Sequence, residues 1–152
     1  MTTITRTFTV DPTPAVVLDY LKDFSNAEEW DPGTETCTQI GEGPVQVGTR
    51  WHNTSKIMGV STELVYELVE LTDSRVVFQG ENDTASTRDT IEVVASGVAG
   101  SEITYTADIE MKGAAKLGTP FVKLVFEKIG SDTEEDMVKV LNGLAETGPG
   151  PA

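Results

Sequence analysis

The chain opens on alternation. Between Thr2 and Val10, Ile4, Phe8 and Val10 share one face and threonines fill the other, the period-two pattern of a half-buried strand. Arg6 interrupts the apolar face, which places it near a sheet end. The period then changes. Val16, Val17, Tyr20, Leu21 and Phe24 recur at helical spacing. Asp11 is positioned to cap this helix, with Pro12 and Pro14 in its first turn, where a missing N–H costs nothing. A second short helix, capped by Ser25 or Asn26, stops at Asp31, Pro32 and Gly33. Helices this short cannot form a bundle alone, so they must pack on a sheet.

Six more strands are predicted: Thr34 to Ile40, Gly48 to Met58, Thr62 to Leu71, Arg75 to Gly80, Thr84 to Ala95, and Glu102 to Lys112. Turn-forming residues separate them at Gly41 to Pro44, Met58 and Gly59, Thr72 to Ser74, Glu81 to Asp83, and Ser96 to Gly100. The connections are short and hold no helix, so neighbouring strands should pair antiparallel. Past Gly113 the helical period returns. Phe121, Val122, Leu124, Val125, Phe126 and Ile129 form a broad apolar arc, continued by Met137, Val138, Val140, Leu141 and Leu144. Gly130 and Ser131 lie between the two halves, and Ser131 with Glu134 has capping-box spacing, so this helix is expected to kink or restart there.

The pattern predicts a single α+β domain over residues 1–147 and a frayed tail over 148–152. A curved sheet and a straight helix do not match in shape, so a hollow is expected between them. By alternation, its walls include Trp51, Asn53, Ser55, Tyr66, Phe78, Asp89, Ile91, Tyr105 and Ile109 from the strands, with Phe121 and Val125 from the last helix.

Charge and composition narrow the function classes. Twenty-five acidic residues against 11 basic ones give a net charge of −14 among 152 residues. So negative a surface repels phosphate backbones and anionic headgroups, which argues against nucleic-acid partners. No apolar run reaches the roughly 20 residues that span a bilayer, so membrane insertion is not expected. The start alternates where a signal peptide would have an apolar block, and a cytoplasmic location is expected. The single cysteine, Cys37, rules out an intrachain disulfide and reads as a half-buried strand residue. With His52 the only histidine, there is no Cys/His cluster for a metal, and no cofactor is expected. His52 points away from the Trp51 face and reads as a surface residue.

Candidate chemistry lies on the inner face. Asp89 would be a carboxylate on an apolar wall, where burial raises its pKa and fits it to act as a general base or to hold a ligand hydroxyl. The alternative is a bulge near Thr87 that turns it to solvent. Tyr66 and Tyr105 each bring a phenol to the same wall, to be satisfied by a ligand carbonyl or by the protein itself. Trp30 and Trp51 read as packing anchors, and Trp30 to Pro32 as a candidate rim of the hollow.

The segments Val10 to Pro32, Val47 to Trp51, Glu67 to Thr72, Arg75 to Phe78 and Thr104 to Ile109 resemble the polyketide cyclase/dehydrase group of the START and birch-pollen-allergen-like superfamily. The resemblance spans nearly the whole chain and implies a helix-grip fold: a seven-stranded curved antiparallel sheet, two short helices after its first strand, and a long C-terminal helix enclosing a cavity. It implies a hydrophobic small-molecule ligand (lipid, isoprenoid or polyketide-like), carried or bound in that cavity. The alternative it implies is an aromatase/cyclase, with Asp89 or His52 removing an acidic α-proton and Tyr66 or Tyr105 polarising the receiving carbonyl. The binding role is preferred because no acid–base pair stands out in the sequence. A third reading makes the acidic surface an interaction module. The oligomeric state, monomer or homodimer, stays open.

Overall fold

The computed structural model describes residues 2–57, 60–113 and 119–147, with the side chains of 57, 60, 119–124 and 145–147 left aside. The elements run β1 (Thr2–Val10), α1 (Pro14–Leu21), a 3-10 turn (Phe24–Asn26), α2 (Ala27–Trp30), β2 (Thr34–Ile40), β3 (Arg50–Ile57), β4 (Val60–Leu71), β5 (Arg75–Glu81), β6 (Ala85–Ser96), β7 (Gly100–Met111) and α3 (Thr119–Thr147). The strands form one antiparallel sheet of seven in the order β1-β7-β6-β5-β4-β3-β2. This is the expected helix-grip arrangement. Register shifts between Thr34 and Thr36 and between Leu68 and Glu70 mark bulges, which increase local twist and help the sheet curl.

One of the two expected helix caps fails. Asp11 does not cap α1: Thr13 holds the cap position without a side-chain bond, and the Asp11 backbone N–H donates to Asn142 Oδ1 at 2.9 Å. A 3-10 turn capped by Asp23, whose Oδ1 accepts from the Ser25 N–H at 3.0 Å, precedes α2, and Asn26, one of the two expected residues, holds the α2 cap position without a side-chain bond. The expected restart of the last helix fails too, since α3 runs as one helix through Gly130 and Ser131 over 29 residues. Gly130 is there for space. A Cβ on it would lie 2.8 Å from Ile4 Cγ2, so its absence lets α3 press against β1. The turn expected at Met58 and Gly59, the side chains of Phe121 and Leu124, and the tail at 148–152 fall outside the described residues.

The inner face of the sheet is divided lengthwise. At the end where β1 runs into α1, the short helices close tightly over the sheet. Phe24 is 1% exposed and sits among Trp30, Trp51, Tyr66 and Phe78 at ring-centroid distances of 5.9, 6.1, 4.5 and 4.4 Å. Aromatic pairs of this geometry contribute about 0.5–1.5 kcal/mol each beyond burial. Val17, Leu21, Leu68, Val76, Ile91, Val93, Ile103, Met137 and Leu141 complete this core. Cys37 belongs to it and is buried, where half-burial was expected; burial pushes its thiol up to about 12, so it is no nucleophile. At the opposite end, among the described residues, α3 lies over the sheet from Phe126 to Glu134, and there the packing opens.

Candidate functional site

The hollow has a volume of about 210 Å³. Its walls come from β1 (Ile4, Arg6, Phe8), the middle of β4 (Leu64, Tyr66), the start of β6 (Ala85, Thr87, Asp89) and β7 from its middle to its end (Tyr105, Ala107, Ile109, Met111). Phe126, Ile129, Gly130 and Thr133 of α3 form the roof. Most of the lining surface is apolar, and Asp31, Ser55, Thr62, Thr84 and Glu134 add polar groups to those of Arg6, Tyr66, Thr87, Asp89, Tyr105 and Thr133.

Asp89 is the buried carboxylate of this wall. The β5–β6 and β6–β7 registers are continuous, so no bulge turns it outward: it faces the hollow, 7% exposed, paired across the sheet with Phe78 and Ala107. The Tyr105 hydroxyl donates to Asp89 Oδ2 at 2.9 Å. Burial raises the Asp89 carboxyl from 3.8 to about 7; the bond from Tyr105 opposes that rise, while Asp31 and Asp108 add to it. Near neutral pH the group therefore exchanges a proton readily. The Tyr105 and Tyr66 phenols are pushed well above their ordinary 10 by burial first and by Asp89 second, so both remain protonated donors.

Arg6 and Asp31 also belong to the site; Asp31 lies in the expected rim segment Trp30 to Pro32, whereas the sequence did not single out Arg6 for it. Arg6 lies mid-strand in β1, not at a sheet end, and reaches across to α3. Its Nη2 donates to the Glu127 carbonyl at 3.0 Å, to Glu127 Oε2 at 2.9 Å and to Ser131 Oγ at 3.2 Å. Asp31 follows α2 and accepts from the Gly33 N–H at 3.0 Å and from Thr34 Oγ1 at 2.9 Å. Behind it, Asn53 Nδ2 donates to Thr34 Oγ1 at 3.1 Å and Ser55 Oγ donates to Asn53 Oδ1 at 2.6 Å. These four side chains form a chain of bonds all pointing toward Asp31. Burial still leaves the Asp31 carboxyl above its ordinary value, against the lowering effect of Gly33 and Thr34.

Of the expected wall residues, Ser55, Tyr66, Asp89, Tyr105 and Ile109 come together on the hollow. Trp51, Phe78 and Ile91 share the same sheet face but lie in the packed end, each 0% exposed. Asn53 stands behind the wall, bonded to Thr34 and Ser55. Val125 is half-buried on α3 and does not line the hollow, and the Phe121 side chain lies outside the described residues. Alternation gives the face of a residue and not its position along the sheet. His52 is exposed on the outer face, its Nε2 3.3 Å from Glu63 Oε1. Arg88 reaches Gln79 Oε1 at 3.3 Å on that same side. Among the described residues, no group of three or more His, Cys, Asp or Glu is placed to hold a metal ion, and no helix is long and apolar enough to cross a membrane.

Several solved structures share this architecture. The protein TTHA0849 from Thermus thermophilus superposes with a TM-score of 0.78 at 16% identity, over 96% of this chain and 99% of that one. The Zhui aromatase/cyclase from Streptomyces sp. R1128 gives 0.76 at 14% identity, over 99% and 98%. A START superfamily protein from Mycobacterium smegmatis gives 0.72 at 17% identity, over 95% and 97%. At such identities the likeness is one of fold. A search of curated proteins found no significant match. Residues 1–147 match, almost end to end, the family described as polyketide cyclase/dehydrase and lipid transport, and the chain belongs to that family.

Proposed function

We propose that the chain binds a compact, mainly apolar molecule in the hollow, with the polar end of that molecule held at Asp89, Tyr105 and Tyr66. The observation that carries this reading is a cavity of mainly apolar surface on which Asp89 and Tyr105, bonded to each other, and Tyr66, bonded to Thr87, present polar groups. Family membership supports it. The volume of about 210 Å³ lies below the roughly 300–1,000 Å³ usual for drug-sized ligands. It therefore favours a compact lipid-like, isoprenoid or polyketide-like ligand over a long acyl chain, which would need α3 to shift. Native mass spectrometry of protein purified from its own host tests this: an apolar compound should leave with the protein. Ligand-free protein that also fails to bind any apolar probe would contradict it.

The Asp89–Tyr105 pair favours a second reading, an aromatase/cyclase. There the Asp89 carboxylate takes a proton from carbon between two carbonyls, and a neighbouring phenol, Tyr66 or Tyr105, donates to the oxygen that gains charge. A carboxyl near 7 suits such a step better than one near 4. Turnover of a poly-β-ketone surrogate that Asp89→Asn abolishes and Glu63→Gln leaves intact would establish it. Binding of the surrogate without conversion would confine the protein to carriage.

A further inference from the structure

We propose that Gly80 sets the depth of the cavity through Tyr66, and with it the size of ligand admitted; this rests on the binding role proposed above. The inner face carries a cross-strand row formed by Trp51, Tyr66, Gly80, Thr87 and Ile109. Gly80 alone in that row has no side chain. Its φ is not in the left-handed region, so conformational freedom does not explain the glycine.

Space does. A Cβ on Gly80 would lie 2.5 Å from Tyr66 Cε1, 2.7 Å from Cζ and 2.8 Å from Cδ1. The Tyr66 ring therefore lies down over the Gly80 backbone, in the place a side chain would take. In that position its hydroxyl comes within 3.4 Å of Thr87 Oγ1, one strand further on, beside Asp89. A methyl on Gly80 would lift the ring by about 1 Å to restore ordinary contact. Phe24 cannot yield, being 1% exposed and enclosed by Trp30, Trp51 and Phe78. The ring can only rise into the hollow, shortening it and drawing the hydroxyl away from Thr87. Gly80 is thus a positioning residue, touching no ligand itself.

Two neutral fluorescent probes of different length, 2-naphthol and 6-propionyl-2-(dimethylamino)naphthalene, separate size selection from general damage. Gly80→Ala should weaken the longer probe by about tenfold or more and the shorter by less than about threefold. Adding Tyr66→Leu to Gly80→Ala should restore the affinity ratio of longer to shorter probe, since the loss of the Tyr66 hydroxyl weakens both probes alike. Equal weakening of both, no change in either, or no restoration in the double variant overturns the proposal. If Gly80→Ala does not fold, Tyr66→Leu alone should raise the affinity ratio of longer to shorter probe, and an unchanged ratio overturns it. Should the wild-type protein bind neither probe, the binding role fails separately. The cavity claim is then decided by a crystal structure of Gly80→Ala, with a raised Tyr66 ring supporting it and an unmoved one refuting it.

Discussion

Asp89 shows how one residue couples stability to the site. Its carboxyl holds a proton to about pH 7 in the folded chain, against an ordinary value of 3.8. Between about pH 4 and 7 the folded state therefore carries a proton that the unfolded state has lost, and stability falls as pH rises through that window. Above it the loss is complete, on the order of 4 kcal/mol. Asn has the shape of the neutral acid and can still accept from Tyr105. Asp89→Asn should therefore match wild type near pH 4 and exceed it by a few kcal/mol at about pH 8 in urea unfolding. A variant less stable than wild type at that higher pH would show that the ionised carboxylate is not buried as described. Tyr105→Phe removes the one bond that lowers this pKa, so the Asp89 carboxyl resonance should titrate higher than in wild type. An unchanged midpoint would mean the bond is not formed in solution. The face of Asp89 was legible because β6 keeps strict register. Arg6 was not, and Asp31 only in part. A cation breaking an apolar alternation reads as a strand end, and the groups that satisfy Arg6, Glu127 and Ser131, lie more than a hundred residues away. Asp31 was legible only as part of a helix stop that could rim the hollow; its role as the acceptor at the end of the Ser55–Asn53–Thr34 chain was not, because those partners come from two later strands.

At the scale of elements, the contact between α3 and β1 decides whether the hollow is covered. Gly130 makes the approach possible, and the bonds from Arg6 to Glu127 and Ser131 hold it. Gly130→Leu should cost about 2–3 kcal/mol by overpacking against Ile4, measured by thermal or chemical unfolding. A cost within about 0.5 kcal/mol would show that α3 does not press on β1 there. The expected break at this point was a misreading of the glycine: Gly next to a capping-box pair looks like a helix boundary, whereas here it marks close packing. Strand positions were legible to within about two residues, the usual error at element ends. Helix caps were less so, since Asp11 is drawn instead to Asn142 of α3, a contact no local pattern announces.

For the whole molecule, shape is the governing fact. The short helices are long enough to seal one end of the curved sheet and too short to reach the other, and α3 alone does not fill the space that the curve leaves there. That mismatch was readable from the order and lengths of the elements. Where along each strand the packing ends and the hollow begins was not, because it depends on how far Phe24, Trp30 and Trp51 extend once clustered. The surface, with its net charge of −14, plays no part in this division. The most direct test is mapping 2-naphthol by amide and side-chain NMR shifts. Shifts should concentrate at Ile4, Thr87, Asp89, Tyr105, Ala107, Ile109 and Ile129, leaving Leu68, Val76 and Val93 unmoved. Shifts confined to the outer sheet face, or spread evenly over the packed end, would contradict a hollow between sheet and helix.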